Sequence, residues 1–312
     1  MTRRDFLAVT SAAAAAAPGM AAEKAAHKST SETLVATLFK SLTAEQRPAV
    51  VFPFDHALRS KVDANWFIVP QRIGQFFNRD QQAMIREIFT GLYRPEFAPK
   101  VMAQVKEDAG GIENYSAALF GEPGGKFEFV ITGRHCTMRC DGDSVDGAAF
   151  GGPIMYGHQS GPNDMEAPGH GQNVYWYQAR RANEVFAALD GKQRELALVK
   201  RAPRAEAQNK TVQIKPQAER AGIPVSGMSK DQRGLVEKVL ADLLLPYRQR
   251  DADEAMKLVK ARGGVEALHM SFFKNLDVGN DGVWDVWQLE GPGMVWYFRG
   301  YPHVHTWVNV QA

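Results

Sequence analysis

Cysteine is nearly absent from this chain: Cys136 and Cys140, in RHCTMRC, are the two among 312 residues. A fold stapled by several disulfides is thereby excluded. Four residues of straight strand span about 13 Å, beyond the roughly 7 Å reach of a disulfide. A bridge between these two therefore needs a bend, and the alternatives are two buried thiols or a metal-thiolate pair. Also missing are a phosphate-cradling glycine loop, a G-x-S-x-G elbow and a C-x-x-C-H haem attachment site, so the mechanisms those motifs serve are not expected. Charge of one sign is lacking too. Lys and Arg number 37 against 35 Asp and Glu, and neither nucleic acid nor an anionic membrane surface is an expected partner.

What is present begins with a targeting pattern. MTRRDFLAVTSAAAAAAPGMAAEK carries paired Arg3 and Arg4, then Phe6 and Leu7, an alanine-rich stretch and small residues at Ala21 and Ala22. This reads as a twin-arginine export signal over residues 1–22, removed after Ala22. Its apolar stretch is shorter than the roughly 18 to 20 residues of a membrane span, so no span is expected after removal. The expected location is the periplasm or the extracellular space, reached through the twin-arginine export machinery. That route carries folded proteins, often with a cofactor already loaded. The remainder, drawn from a chain with 45% hydrophobic and 23% charged residues, is large enough for one large or two small domains with a proper core.

Two periodicities alternate along it. Leu34, Leu38 and Leu42 have helical spacing, with Thr43 placed to cap toward Gln46; Met84, Ile85, Ile88 and Leu92 repeat the pattern, and KVMAQVKEDAGG is a helix that stops at Gly110 and Gly111. Aromatic and β-branched runs broken by glycine turns follow, from Asn114 to Asp143. A similar order returns about 150 residues on. FKSLTAEQR answers to FAALDGKQR, RDQQAMIREIF to KDQRGLVEKVL, and GGIENYSAALF to GGVEALHMSFF. We read an internally duplicated α+β protein: a first half at 23–156, a loop-rich connection at 157–228 containing a helix at 178–200, and a second half at 229–312.

The chemistry candidates are histidines. In RGYPHVHTWVNV, His303 and His305 stand two apart, and on a strand they share a face with Trp307 and Asn309, while Val304, Val308 and Val310 line the other. Two imidazoles about 6.5 Å apart at Cα can reach one ion at about 2.0 to 2.1 Å. His135 and then His158 are the next candidate ligands, and a copper or zinc ion suits such nitrogen donors. Packing, capping or solvated roles are the plain alternatives for each, and they are the expected roles of His56 and His269. His170 is a weaker candidate and His27 lies in the starting segment. Glu290, with Arg134 and Arg299, is the candidate catalytic set, the carboxylate serving as a ligand, an orienting group or a general base. DVGNDGVWDVWQ has Asp277, Asp281 and Gly282 in calcium-loop positions. Gly279 and Gln288 stand where further ligands are needed, so a turn is expected there instead.

Three stretches, FDHALRSKVDANWFIVP, YSAALFGEPGGKFEFVITGRHCTMRCDGDSVDGAAFGGPIMYGH and WYFRGYPHVHTWVNV, resemble the largely exported bacterial family known as domain of unknown function 3500. Many members of that family carry G-H-H where this chain has Gly133, Arg134 and His135, so the resemblance transfers one histidine there, together with His303 and His305. It implies a site without implying a reaction. The expected function is an exported metal-binding protein, whether a metal-dependent hydrolase or oxidoreductase. The competing class is a non-catalytic module whose Trp284, Trp287, Trp296, Tyr297, Tyr301 and Trp307 stack on a carbohydrate or another small or cell-envelope ligand.

Overall fold

Reciprocal capping by short polar side chains and glutamines sets where several helices begin. The computed structural model describes residues 30–159, 173–200, 210–274 and 284–312. The expected export signal, His27, His170 and residues 277–283 of the calcium-like stretch lie outside these residues. After α1 (Thr30–Ser41), Thr43 and Gln46 exchange backbone-to-side-chain hydrogen bonds just before the short α2 (Arg47–Val50). Following β1 (Val51–Phe52) and α3 (Ile73–Phe76), Asn78 and Gln81 form a capping box at the start of α4 (Arg79–Thr90). Gln46 and Gln81 then pair amide to amide, at 2.9 Å in both directions, in the buried interior. Ile85 and Ile88 are fully buried on the core face of α4. Pro99 occupies the first turn of α5 (Ala98–Ala109), and Gly110, at φ +78°, ends it in the left-handed conformation that glycine adopts without a Cβ clash.

The antiparallel strands β2 (Ser116–Gly121), β3 (Phe127–Gly133), β4 (Cys136–Cys140) and β5 (Ile154–His158) complete the first series. A second series of helices followed by strands comes after it. It runs α6 (Trp176–Ala188), α7 (Gly191–Ala197), β6 (Leu198–Val199), β7 (Ile223–Pro224), α8 (Lys230–Leu244) and α9 (Gln249–Ala261). Strands β8 (His269–Phe273), β9 (Val286–Gly291), β10 (Met294–Arg299) and β11 (Val304–Val310) follow. Here too the capping glutamines Gln193, paired with Asp190, and Gln232, paired with Ser229, bond to each other, at 3.0 and 2.7 Å. The expected single helix at 178–200 is two helices. Leu189 leaves the helical conformation and Asp190 starts α7 with its own cap, so the chain turns where a continuous helix was expected.

Among the described residues, the eleven strands join one mixed sheet in the order β1-β2-β3-β4-β5-β11-β10-β9-β8-β6, with β7 pairing β8. Each series contributes one parallel pair, β1 with β2 and β6 with β8. The two series meet where β5 lies antiparallel to β11. The class is α+β, as expected.

Both faces are covered. Buried residues of the helices, such as Ile85, Val101, Val236 and Val259, share the larger core with Val304, Val308 and Val310. On the other face Val62, Ala64 and Val212, from irregular segments, form a smaller core with Met155, Tyr297 and Trp307. Trp287, Trp296, Tyr297 and Trp307 are all buried, and Trp284 is only partly so. Burying a large apolar side chain contributes on the order of 1.5–3 kcal/mol, so using these rings as a stacking platform would require opening the core. Cys136 and Cys140 are free, buried thiols at the two ends of the five-residue β4. Burial raises both of their pKa values, which favours the protonated thiol at neutral pH.

Candidate metal centre

Gly133 pairs with Cys136 across the β3–β4 hairpin, so Arg134 and His135 are its two turn residues. His135 sits at φ +55°, a conformation that costs a non-glycine residue about 1 kcal/mol or more. The turn is held in place by neighbours: the His135 N–H donates to the Ala64 carbonyl at 2.7 Å, and the Tyr115 hydroxyl donates to the Arg134 carbonyl at 2.6 Å. Cys136 lies opposite Tyr156 of β5. On the far side of β5, Gly157 lies opposite His305 of β11. A Cβ at Gly157 would stand 2.1 Å from the Val304 carbonyl oxygen and 3.4 Å from the His135 Cβ. The bare glycine therefore keeps the β5–β11 seam closed and leaves room for His135.

Across this seam the three imidazoles converge. His135 Nε2 is 3.1 Å from His303 Nε2, which is 3.0 Å from His305 Nε2. All three nitrogens lie within 4.8 Å of one another. Two imidazole nitrogens on one tetrahedral ion, at about 2.0–2.1 Å each, stand about 3.3 Å apart. Adjacent pairs thus need only a few tenths of an ångström to accept an ion. His135 and His303 are buried and His305 is partly so.

Asp108, in the last turn of α5, completes the arrangement. Its Oδ2 accepts from His135 Nδ1 at 2.8 Å, its Oδ1 accepts from the Gln159 N–H at 3.1 Å, and His158 Nδ1 is 3.2 Å from the same oxygen. The carboxylate is 2% exposed. Burial alone would raise its pKa, but the bonds from His135 and His158 outweigh burial and hold it down to about 2. An ionised carboxylate only accepts, so it fixes the proton of His135 on Nδ1 and turns the Nε2 lone pair toward the other two histidines. A carboxylate at a helix C-terminus opposes the helix dipole, which marks Asp108 as held there by its histidine partners. Burial, reinforced by Arg299, by the neighbouring histidines and by Arg134, pushes the His305 pKa well below its ordinary value. His305 is therefore a neutral imidazole, the form that ligates a metal.

The sequence-derived candidates divide accordingly. His135, His303 and His305 come together. His158 does not join them: it is one residue past Gly157, so strand alternation turns it to the opposite face, where it meets Asp108 and, at 4.0 Å, the Glu107 carboxylate. Arg134 and Arg299 both stand at the cluster, the first in the turn beside His135 and the second in register with His305. Glu290 does not. It pairs with Val295, whereas the residue of β9 in register with Arg299 is Val286, and its Oε1 accepts from the Ala221 N–H at 3.1 Å. His56 caps a short 3-10 turn through Nδ1 at 3.3 Å from the Leu58 N–H, as expected. Asp108 is the residue the sequence reading missed. Its one available signal was an acidic residue where a helix C-terminus disfavours one.

An α+β fold with a large mixed sheet and a three-histidine cluster at its central seam defines the class of molecule. The chain belongs to the family described as protein of unknown function (DUF3500), which it matches over residues 24–308. No curated protein and no solved structure matches it. Among the described residues no helix is long and apolar enough to cross a membrane.

Proposed function

We propose that this is an exported metal-binding protein whose ion, zinc or copper, is held by His135, His303 and His305. The observation that carries the reading is the convergence of three Nε2 atoms with Asp108 fixing the proton of His135 on the far nitrogen. Three nitrogen donors fit both metals and leave a coordination position free, as in catalytic rather than structural zinc sites. When bound, zinc would supply Lewis acidity toward a hydrolysable substrate and copper would supply electron transfer. The chain's own residues position that chemistry. Asp108 orients His135, burial keeps His305 neutral, and Arg134 and Arg299 place cationic side chains beside the ligands. The twin-arginine pattern of residues 1–22 supports export in the folded state, and the repeated order of elements supports an internal duplication as the origin of the fold.

Elemental analysis of protein purified from the export compartment, beside a His303→Ala/His305→Ala variant, tests the reading. We expect close to one ion per wild-type chain and loss in the variant. Less than about 0.2 ion per wild-type chain, after reloading with either metal, would overturn it.

A further inference from the structure

We infer that His158, which is not a ligand, is a positioning residue of the metal centre: it holds the Asp108 carboxylate at the angle that presents His135 to the ion. The inference rests on the metal-binding reading and adds to it a residue that acts on the ligands from the helical side of the sheet.

The position follows from strand register. His158 is the β5 residue paired with Val304, the residue between His303 and His305. Register partners share a face, and Val304 packs in the larger core with the helices. His158 therefore leaves the sheet toward α5, and its side chain is fully buried. Asp108 meets it there from the last turn of α5.

The two oxygens of Asp108 have separate tasks. Oδ2 accepts from His135 Nδ1 at 2.8 Å, the contact that sets the ligand. Oδ1 faces the end of β5, where it accepts from the Gln159 N–H at 3.1 Å and stands 3.2 Å from His158 Nδ1. One oxygen addresses the ligand, and two consecutive residues anchor the other. The carboxylate is 2% exposed, so solvent does not replace an anchor that is lost. With Gln159 alone on Oδ1, the carboxylate can turn about its Cβ–Cγ bond, which swings Oδ2 off the axis of the His135 N–H. The far nitrogen of His158, Nε2, is 4.0 Å from the Glu107 carboxylate. The ring thus has an acidic group beyond each nitrogen, which holds its plane as well as its contact with Asp108. Partners behind a metal-ligating imidazole set its tautomer and aim, and His158 acts one step further out through such a partner.

Three substitutions separate this role from packing. His158→Asn keeps a side-chain N–H close to the Nδ1 position, His158→Gln moves it one bond outward, and His158→Phe removes it while keeping a ring. Each is made in the full-length protein with and without Asp108→Asn, and circular dichroism establishes the fold. Zinc affinity is read by competition against a chromogenic chelator. Heteronuclear NMR of the metal-free protein reads which nitrogen of His135 carries the proton. We expect His158→Phe and His158→Gln to weaken zinc binding by about fivefold or more, with His135 protonated partly on Nε2, and His158→Asn to stay within about twofold of wild type. In the Asp108→Asn background the same changes should alter affinity by less than about twofold, because the group through which they act is gone. If His158→Phe fails to fold, the Asn and Gln variants carry the same comparison. Folded His158→Phe or His158→Gln protein with wild-type zinc affinity and His135 protonated on Nδ1 overturns the inference and leaves the metal reading standing. An equal loss in both backgrounds also overturns it, since a merely structural role acts without Asp108. A wild type that fails to retain zinc overturns the metal reading; the His135 proton position, read without metal, then decides whether His158 orients that ring.

Discussion

Replacing Asp108 by Asn changes one oxygen for an amide nitrogen and leaves the side-chain shape almost unaltered. The wild-type carboxylate accepts from His135 at 2.8 Å and from the Gln159 N–H at 3.1 Å, and lies 3.2 Å from His158 Nδ1. Its pKa of about 2, against an ordinary 3.8, corresponds to about 2.5 kcal/mol favouring the ionised form in this environment. Because the folded-state pKa is depressed, that contribution is present in full above about pH 4 and is lost as pH falls through about 2. An amide cannot supply it, and it no longer dictates which ring nitrogen of His135 carries the proton. When His135 shifts its proton to Nε2, a donor replaces a lone pair at the centre of the cluster. Loss of such an orienting carboxylate typically weakens metal affinity roughly 10- to 100-fold, or about 1.4–2.7 kcal/mol. That range matches the free energy carried by the charge. Competition titration against a chromogenic chelator at pH 7.5 reads the affinity directly, with circular dichroism confirming the fold. A folded Asp108→Asn protein that binds zinc and copper within twofold of wild type would refute the account of how His135 is held.

Other expectations follow from the same geometry. Gly157→Ala drives a methyl group to 2.1 Å from the Val304 carbonyl oxygen; it should lower stability by about 1–3 kcal/mol and reduce metal loading, and an unchanged melting temperature would contradict the close approach. Burial raises the Asp141 pKa to about 6, so its contribution to stability is complete below about pH 4 and lost as pH rises through 6. Asp141→Asn should then be more stable than wild type at pH 7.5, by up to about 3 kcal/mol, and show no such gain at pH 3.5 in urea titrations. The buried thiols of Cys136 and Cys140 should resist an aromatic disulfide reagent in the native protein and both react after denaturation. Immediate reaction without denaturant, or a count of zero after it, would contradict their state in the fold.

Much of this fold was legible from local rules. The Thr43–Gln46 cap, the glycine stop after α5 and the two-residue alternation of β11 all act over a few residues, and each lies where the sequence pattern places it. The same capping rule, applied to Asp190 and Gln193, would have divided the helix expected at 178–200. Sites fail differently, because register decides them. Glu290 is close in sequence to the hairpin that leads to His303, but the two-residue turn pairs it with Val295 and puts Val286 beside Arg299. His158 is one residue from the productive face, and alternation sends it to Asp108. Asp108 was out of reach of local reasoning. It approaches His135 only after α5 packs against strands that begin downstream of it, a tertiary event with no short-range pattern.

The β5–β11 seam has a temporal consequence. His135 and His303 are 168 residues apart in sequence, and β11 must insert between β5 and β10 before the third nitrogen is in place. A chain still emerging from the ribosome offers an incoming ion scattered single histidines, which hold it weakly. On the proposed metal-binding reading, high-affinity capture would wait for closure of the sheet, and metal uptake would be a readout of finished folding rather than its trigger.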